Sequence, residues 1–305
     1  MLRQTLSLLS AYTWKEVAYV AESPHALQAL DIAIPQRLPL CAKLPTCVFV
    51  HGGSWQQGDK SGELNQGIDE AFVRAGYLGV SVNYRLSPEV QHPVHVNDVA
   101  AAVTCLHQNI DKFGGDPDKL VLVGYSAGAH LVMQLLADPQ YLTAAGMKQP
   151  VDTFVRGAVG ISGVYNIVRL ANALFYGPFV TNPSFGERVE QWREASIGMT
   201  VARIGSTSPL IRMPLLLVNA QEDFHFQEDT LELERWLLAA GNVRSEVSPC
   251  VNVFLTSIRR HIVSDCNHFS IVQHLAGKGL DTNPTLQLIK AFVAGSTSCE
   301  TPPSL

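Results

Sequence analysis

VLVGYSAGAHL, residues 121–131, is the stretch on which the reading of this chain turns. The run KLVLVG before the serine has the apolar, β-branched character of a buried strand, and AHLVMQLL after it has the pattern of a helix. Between them, Gly124-Tyr125-Ser126-Ala127-Gly128 spells G-x-S-x-G. At a strand-to-helix reversal this pattern has a mechanical meaning. The turn strains the serine and lifts its hydroxyl above the sheet edge, while the glycines let neighbouring backbone come close. The same five residues also arise by chance around an ordinary serine N-cap. The strand and helix on either side favour the nucleophile.

A serine nucleophile needs a base, an acid to orient that base, and a site for the developing anion. VFVHGGSW (48–55) ends an apolar strand in glycines, whose N–H groups are free to point into a cleft. The N–H groups of Gly53, Ser54 and Ala127 are the expected oxyanion hole. His51 is expected to be structural, because a base there would compete with the anion for space. The base is expected in a loop after the last strand, where SDCNHFSIV (264–272) supplies His268. His261, inside a predicted strand, and His225, just past another, read as ordinary imidazoles. The acid is expected at the strand end LLLVNAQEDF (215–224), with Asp223 chosen and Glu222 its nearest rival. Glu228 and Asp229 read as a solvated helix face. The resulting order Ser126, Asp223, His268 is nucleophile, acid, base.

Outward from these motifs, short apolar runs alternate with helical patterns. Strands are expected at 46–50, 77–84, 119–124, 155–162, 214–220 and 260–265, and helices at 64–76, 97–110, 127–138, 227–241 and 282–294. Several strands are apolar nearly throughout, as strands covered on both faces are. The alternation predicts one α/β domain over residues 1–295 with a mostly parallel central sheet and helices on both faces. WKEVAYV (14–20) and LQALDIAIP (27–35) are expected to add an antiparallel pair. Residues 166–210 break the alternation and read as a cap-like insertion over the carboxyl edge. Its aromatics Phe175, Tyr176, Phe179, Phe185 and Trp192 are either pocket wall or insertion core. The tail 296–305 is polar and Pro-rich and is expected to be loose.

The 305 residues are 47% hydrophobic and 16% charged, with a formal net charge of −5, which suits a large apolar core. No Lys/Arg run suggests nucleic-acid binding. No apolar run reaches the roughly 20 residues of a membrane span. The first residues lack a secretory pattern, so a cytoplasmic location is expected. The six cysteines show no CxxC spacing and read as reduced thiols. No HExxH, Cys/His cluster or P-loop is present, and neither cofactor nor metal is expected.

HGGSWQQGDK, YSAGAHL, the QED strand end and NHFSIV together resemble the α/β-hydrolase esterases of the HGG-containing branch. Within it the chain looks like arylformamidase (kynurenine formamidase) and its esterase relatives, including plant prenylcysteine methylesterases. The resemblance covers roughly residues 14–295. It implies Ser126, Asp223 and His268 as a catalytic triad and HGGSW as the oxyanion region. Two features depart from it. NYRLSPE (83–89) is similar to the broader carboxylesterase and hormone-sensitive-lipase group, and SEVSPCVNVFLTSI (245–258) adds an apolar segment before the strand that leads to His268. The expected activity is hydrolysis of a small carboxylic ester or aryl formamide through an acyl-enzyme. The alternative is a catalytically silent hydrolase-fold protein that binds a small molecule or a partner. Oligomeric state is left open.

Overall fold

Alternate side chains of the central strands feed two separate cores, one on each face of an eight-stranded sheet. In the computed structural model, which describes residues 12–22, 24–37, 43–245, 258–276 and 283–297, the strand order is β1-β2-β4-β3-β5-β6-β7-β8. The strands are β1 Tyr12–Ala18, β2 Ala29–Pro35, β3 Leu44–Val50, β4 Leu78–Val82, β5 Gly115–Tyr125, β6 Val155–Ile161, β7 Leu215–Glu222 and β8 Ile258–Asn267. From β4 to β8 neighbouring strands run parallel. The expected β1–β2 hairpin is antiparallel, and β2 joins β4 antiparallel. The expected loose tail, beyond its first two residues, and nearly all of the extra segment 245–258 lie outside the described residues.

Val48 and Val50 of β3 with Leu120 and Leu122 of β5 enter one core. Cys47 and Phe49 with Val121 and Val123 enter the other. This period-2 division explains why these strands are apolar throughout rather than alternating. Helices α1 (Ile68–Arg74), α2 (Val94–Asn109) and α3 (Ala127–Ala137) follow in chain order. Helices α2 and α3 cover the first core, and α1 the second. Every residue of α3 is buried, which is why its sequence shows no polar stripe.

The region 166–210 is helical, with α4 Ile167–Ala171, α5 Asn182–Phe185, α6 Val189–Ala195 and α7 Ile197–Ile204. Its two halves do different work. Leu170, Tyr176 and Val180 border the cavity above Ser126. The later half packs on α3, where the Gln134 side-chain amide donates to Thr200 Oγ1 at 3.1 Å. Helices α8 (Phe226–Ser245), α9 (Ser270–Ala276) and α10 (Pro284–Thr297) complete the layers. No helix among the described residues is long and apolar enough to cross a membrane. The described thiols Cys47, Cys105 and Cys266 are unpaired.

Candidate active site

β5 ends at Tyr125 and α3 begins at Ala127, so the whole reversal falls on Ser126. Its backbone sits at φ 52°, ψ −117°, a conformation that costs an L-residue energy and is held by its surroundings. The N–H of Ser126 donates to the Ile161 carbonyl at 2.8 Å, tying the turn to β6. The flanking glycines are steric requirements. A Cβ on Gly128 would lie 2.1 Å from the Val50 carbonyl oxygen, and one on Gly124 would lie 2.4 Å from the Gly128 oxygen.

The loop after β3 passes directly over this turn. A Cβ on Gly52 would meet the Ser126 Cβ at 2.9 Å. Gly53, Ser54 and Trp55 all have positive φ, at 117°, 54° and 59°. Gly53, Ser54 and Ala127 line the same cavity as Ser126, which brings the three expected oxyanion donors to one place. Ala127 opens α3, so its N–H has no acceptor within the helix.

His268 Nε2 lies 3.1 Å from Ser126 Oγ, and His268 Nδ1 lies 2.7 Å from Asp223 Oδ1. All three residues are buried, at 8% exposure for Ser126, 6% for His268 and 3% for Asp223. The second carboxylate oxygen of Asp223 accepts from Asn219 Nδ2 at 2.8 Å and from the Ala220 N–H at 3.2 Å. Glu222 is exposed, and only its backbone serves the site, its carbonyl accepting the His268 N–H at 2.9 Å. The two carboxylates part at the strand end: Glu222 closes β7 and is exposed, whereas Asp223, the first residue past it, is buried. Phe224, Phe226 and Phe269 surround the imidazole at centroid distances of 5.2, 5.4 and 5.5 Å.

The rival histidines are elsewhere. His225 and His261 are exposed. His51 is fully buried, stacks on Tyr84 at 4.5 Å, and donates from Nδ1 to the Gly52 carbonyl at 2.7 Å. Burial pushes its pKa down, so it is a neutral structural ring beneath the loop.

One expectation is corrected. Asp229 does not belong to a solvated face. It is 2% exposed, accepts from the N–H groups of Tyr165 and Asn166 at 3.1 and 2.8 Å, and pairs with Arg169. Desolvation raises its pKa to about 6 against the lowering effect of Arg169. The insertion's aromatics, left open between pocket wall and insertion core, divide in the structure. Of its five aromatics, only Tyr176 lines the cavity. Phe185 packs on Trp55 at 4.7 Å, and Trp192 donates to the Gly186 carbonyl.

The segment NYRLSPE has a role the sequence reading did not find: it holds the loop after β3. Asn83 Oδ1 accepts from the Lys60 N–H, and Asn83 Nδ2 donates to Asp59 at 2.8 Å. The Tyr84 hydroxyl donates to the His51 carbonyl at 3.1 Å, and the Ser87 N–H to the Trp55 carbonyl at 2.8 Å. The signal was a polar cluster directly after an apolar strand, but its partners lie between 23 and 33 residues back and no periodicity points to them.

The cavity measures about 180 Å³. Apart from the groups already placed, its walls are mostly apolar, with Leu64, Val164, Leu170, Tyr176, Val180 and Phe226 among them. Among the described residues no group of His, Cys, Asp and Glu side chains converges as a metal site. The arrangement is therefore a hydroxyl, an imidazole and a carboxylate in line, at a small, mostly apolar cavity that Gly53, Ser54 and Ala127 also line.

Residues 30–184 match the BD-FAE family model. A probable carboxylic ester hydrolase, LipM, of Mycobacterium tuberculosis is 33% identical over 145 residues, which is 48% of this chain and 33% of that protein. Kynurenine formamidase of Meyerozyma guilliermondii is 26% identical over 201 residues, covering 65% of this chain and 73% of its own. The chain thus spans about a third of the length of the mycobacterial esterases it matches. Esterase B from Lactobacillus rhamnosis superposes with a TM-score of 0.73 at 20% identity, over 94% of this chain and 86% of that one. That likeness is one of fold, and the fold is that of the α/β-hydrolases.

Proposed function

We propose that this chain, which belongs to the BD-FAE family, is a serine-dependent hydrolase of small carboxylic esters. The observation that carries the reading is the continuous line from Ser126 Oγ through His268 to Asp223, with contacts of 3.1 and 2.7 Å. The relatives named as ester hydrolases support the same chemistry.

On this reading Ser126 Oγ attacks the ester carbonyl carbon as its proton passes to His268 Nε2. The carbonyl π pair moves onto oxygen, and the N–H groups of Gly53, Ser54 and Ala127 receive that charge. Asp223 keeps a proton on Nδ1 of the ring, leaving Nε2 as the acceptor, and stabilises the imidazolium that forms. The tetrahedral intermediate collapses, the C–O bond to the leaving alcohol breaks, and His268 returns its proton to that alcohol. Water then repeats the sequence on the acyl-enzyme, releasing the acid and restoring Ser126.

Aryl formamides are the second reading. Two observations favour it: the aromatic rings of Phe224, Phe226 and Phe269 around His268, where a leaving group departs, and the kynurenine formamidase that overlaps most of this chain.

Labelling by a fluorophosphonate probe tests the nucleophile, since only an activated serine reacts. Wild type should label and Ser126→Ala should not, and kcat should fall by about three orders of magnitude or more in the variant. A variant retaining a tenth of wild-type kcat would exclude Ser126. A panel of short acyl esters beside N-formylkynurenine separates the two substrate readings by their kcat/KM values.

A further inference from the structure

We infer that Asn219 and Thr230 form a positioning relay that holds the Asp223 carboxylate in the one orientation that serves His268. The inference rests on the reading of Ser126, His268 and Asp223 given above. Asn219 lies on β7, four residues before Asp223, and Thr230 lies on the first turns of α8. The Thr230 hydroxyl donates to Asn219 Oδ1 at 2.8 Å, and Asn219 Nδ2 donates to Asp223 Oδ2 at 2.8 Å. Asn219 is 2% exposed, Asp223 3% and Thr230 4%, so bulk water does not compete for these bonds.

The order of donors and acceptors is what gives the relay its meaning. A primary amide in this slot has two orientations. With Oδ1 toward Asp223, two oxygen acceptors would face each other in a low-dielectric interior, which is unfavourable. The Thr230 hydroxyl gives Oδ1 a donor on the opposite side and so leaves Nδ2 aimed at the carboxylate. Asp223 Oδ2 then has two donors, Asn219 Nδ2 and the Ala220 N–H, and Oδ1 is left for His268. The carboxylate plane is set by three contacts, two from β7 and one from the loop after β8. Neither Asn219 nor Thr230 lines the cavity, so both act through Asp223.

Other titratable groups near Asp223 are the Tyr125 and Tyr165 hydroxyls and the Cys266 thiol, whose pKa values burial raises. They stay protonated through neutral pH and do not supply a competing charge. Asp229 is next to Thr230 in sequence, but its carboxylate is engaged by Tyr165, Asn166 and Arg169.

The test compares Thr230→Val, Thr230→Ser and Asn219→Ala in the full chain, using p-nitrophenyl acetate across pH 5–9. Valine keeps the shape of threonine and removes only the donor. Asn219→Ala removes a hydrogen bond to the charged carboxylate and should lower kcat about tenfold, and Thr230→Val, which removes only the bond that orients the Asn219 amide, should lower it by somewhat less; KM should be unchanged in both, since the cavity is untouched. Losing the Asn219 donor from Oδ2 in Asn219→Ala, or loosening it in Thr230→Val, concentrates charge on the carboxylate and favours the imidazolium, so the acid limb of the rate profile should move to higher pH, further in Asn219→Ala. Thr230→Ser should stay close to wild type. A profile that stays in place or moves to lower pH overturns the relay, as does a Thr230→Ser variant impaired as much as Thr230→Val. Fluorophosphonate labelling of wild type keeps the two readings apart. An unlabelled Ser126 overturns the triad and the relay with it, whereas a labelled Ser126 with unmoved profiles overturns the relay alone.

Discussion

The Tyr125 hydroxyl donates to the backbone carbonyl of His268 at 2.8 Å. These residues are 143 positions apart, and Tyr125 is the immediate neighbour of Ser126. The residue that precedes Ser126 in the chain thus anchors the loop that carries His268. Its ring also packs beside the imidazole, with centroids 5.2 Å apart.

Tyr125→Phe keeps that ring and removes the anchor. It leaves the His268 carbonyl without this donor and should destabilise the fold by about 1 kcal/mol. It should also lower kcat several-fold, because the imidazole is then held only through its side-chain contacts and its own N–H. Urea titration and p-nitrophenyl acetate kinetics on the same preparation check both. Unchanged kcat would mean that the loop holds its shape without Tyr125.

Asp223→Asn should cost kcat about three to four orders of magnitude, since an amide no longer selects the ring tautomer. Glu222→Gln should cost little, because that side chain is exposed and only its carbonyl is used. Reversal of the two results would misplace the acid by one residue.

Gly128→Ala should yield no folded protein, because the new Cβ would lie 2.1 Å from the Val50 backbone oxygen where nothing flexible can yield. Gly295→Ala is the control. Its Cβ meets nothing within 4 Å, and alanine in a helix should stabilise by up to about 1 kcal/mol. Soluble expression and thermal midpoints distinguish them.

Stability should fall as pH drops below neutrality. Burial is the main force lowering the pKa of His92 to about 3 and of His95 and His130 to about 4. In the unfolded chain these rings take up protons near pH 6.5, while in the folded one they remain neutral. Their contribution is therefore complete above about pH 6.5 and is lost as pH falls towards the folded values, by about 2 kcal/mol for one such ring at pH 5. Asp229 works in the opposite sense. Its raised pKa, about 6, favours the folded state at low pH and loses that contribution as pH rises from the ordinary carboxylate range to about 6. Three rings outweigh one carboxyl, so the urea midpoint should be lower at pH 5 than at pH 7.5. Replacing His130 by Gln, whose amide can still donate to the Ala195 carbonyl, should flatten the difference.

What the sequence determined by itself was local. Ser126 could be read because a strand, a tight turn and a helix follow one another within eleven residues, and the turn's glycines are dictated by contacts that any such reversal makes. His268 and Asp223 could be picked out as candidates because each follows a predicted strand, and parallel strands deliver their carboxyl ends to one edge. The tertiary structure decided which side chains meet across that edge. Glu222 and Asp223 differ by one residue, and only the folded turn after β7, where Asn219 and His268 meet the second carboxylate, buries Asp223. Asp229 looked solvated because its helix carries acidic neighbours, yet Tyr165 and Asn166 bury it from 63 or more residues away. Asn83, Tyr84, Asn219 and Thr230 left no periodic trace for the same reason. A hydrogen bond needs one donor and one acceptor at about 3 Å, and nothing in the spacing of residues along a chain records a partner brought there by folding.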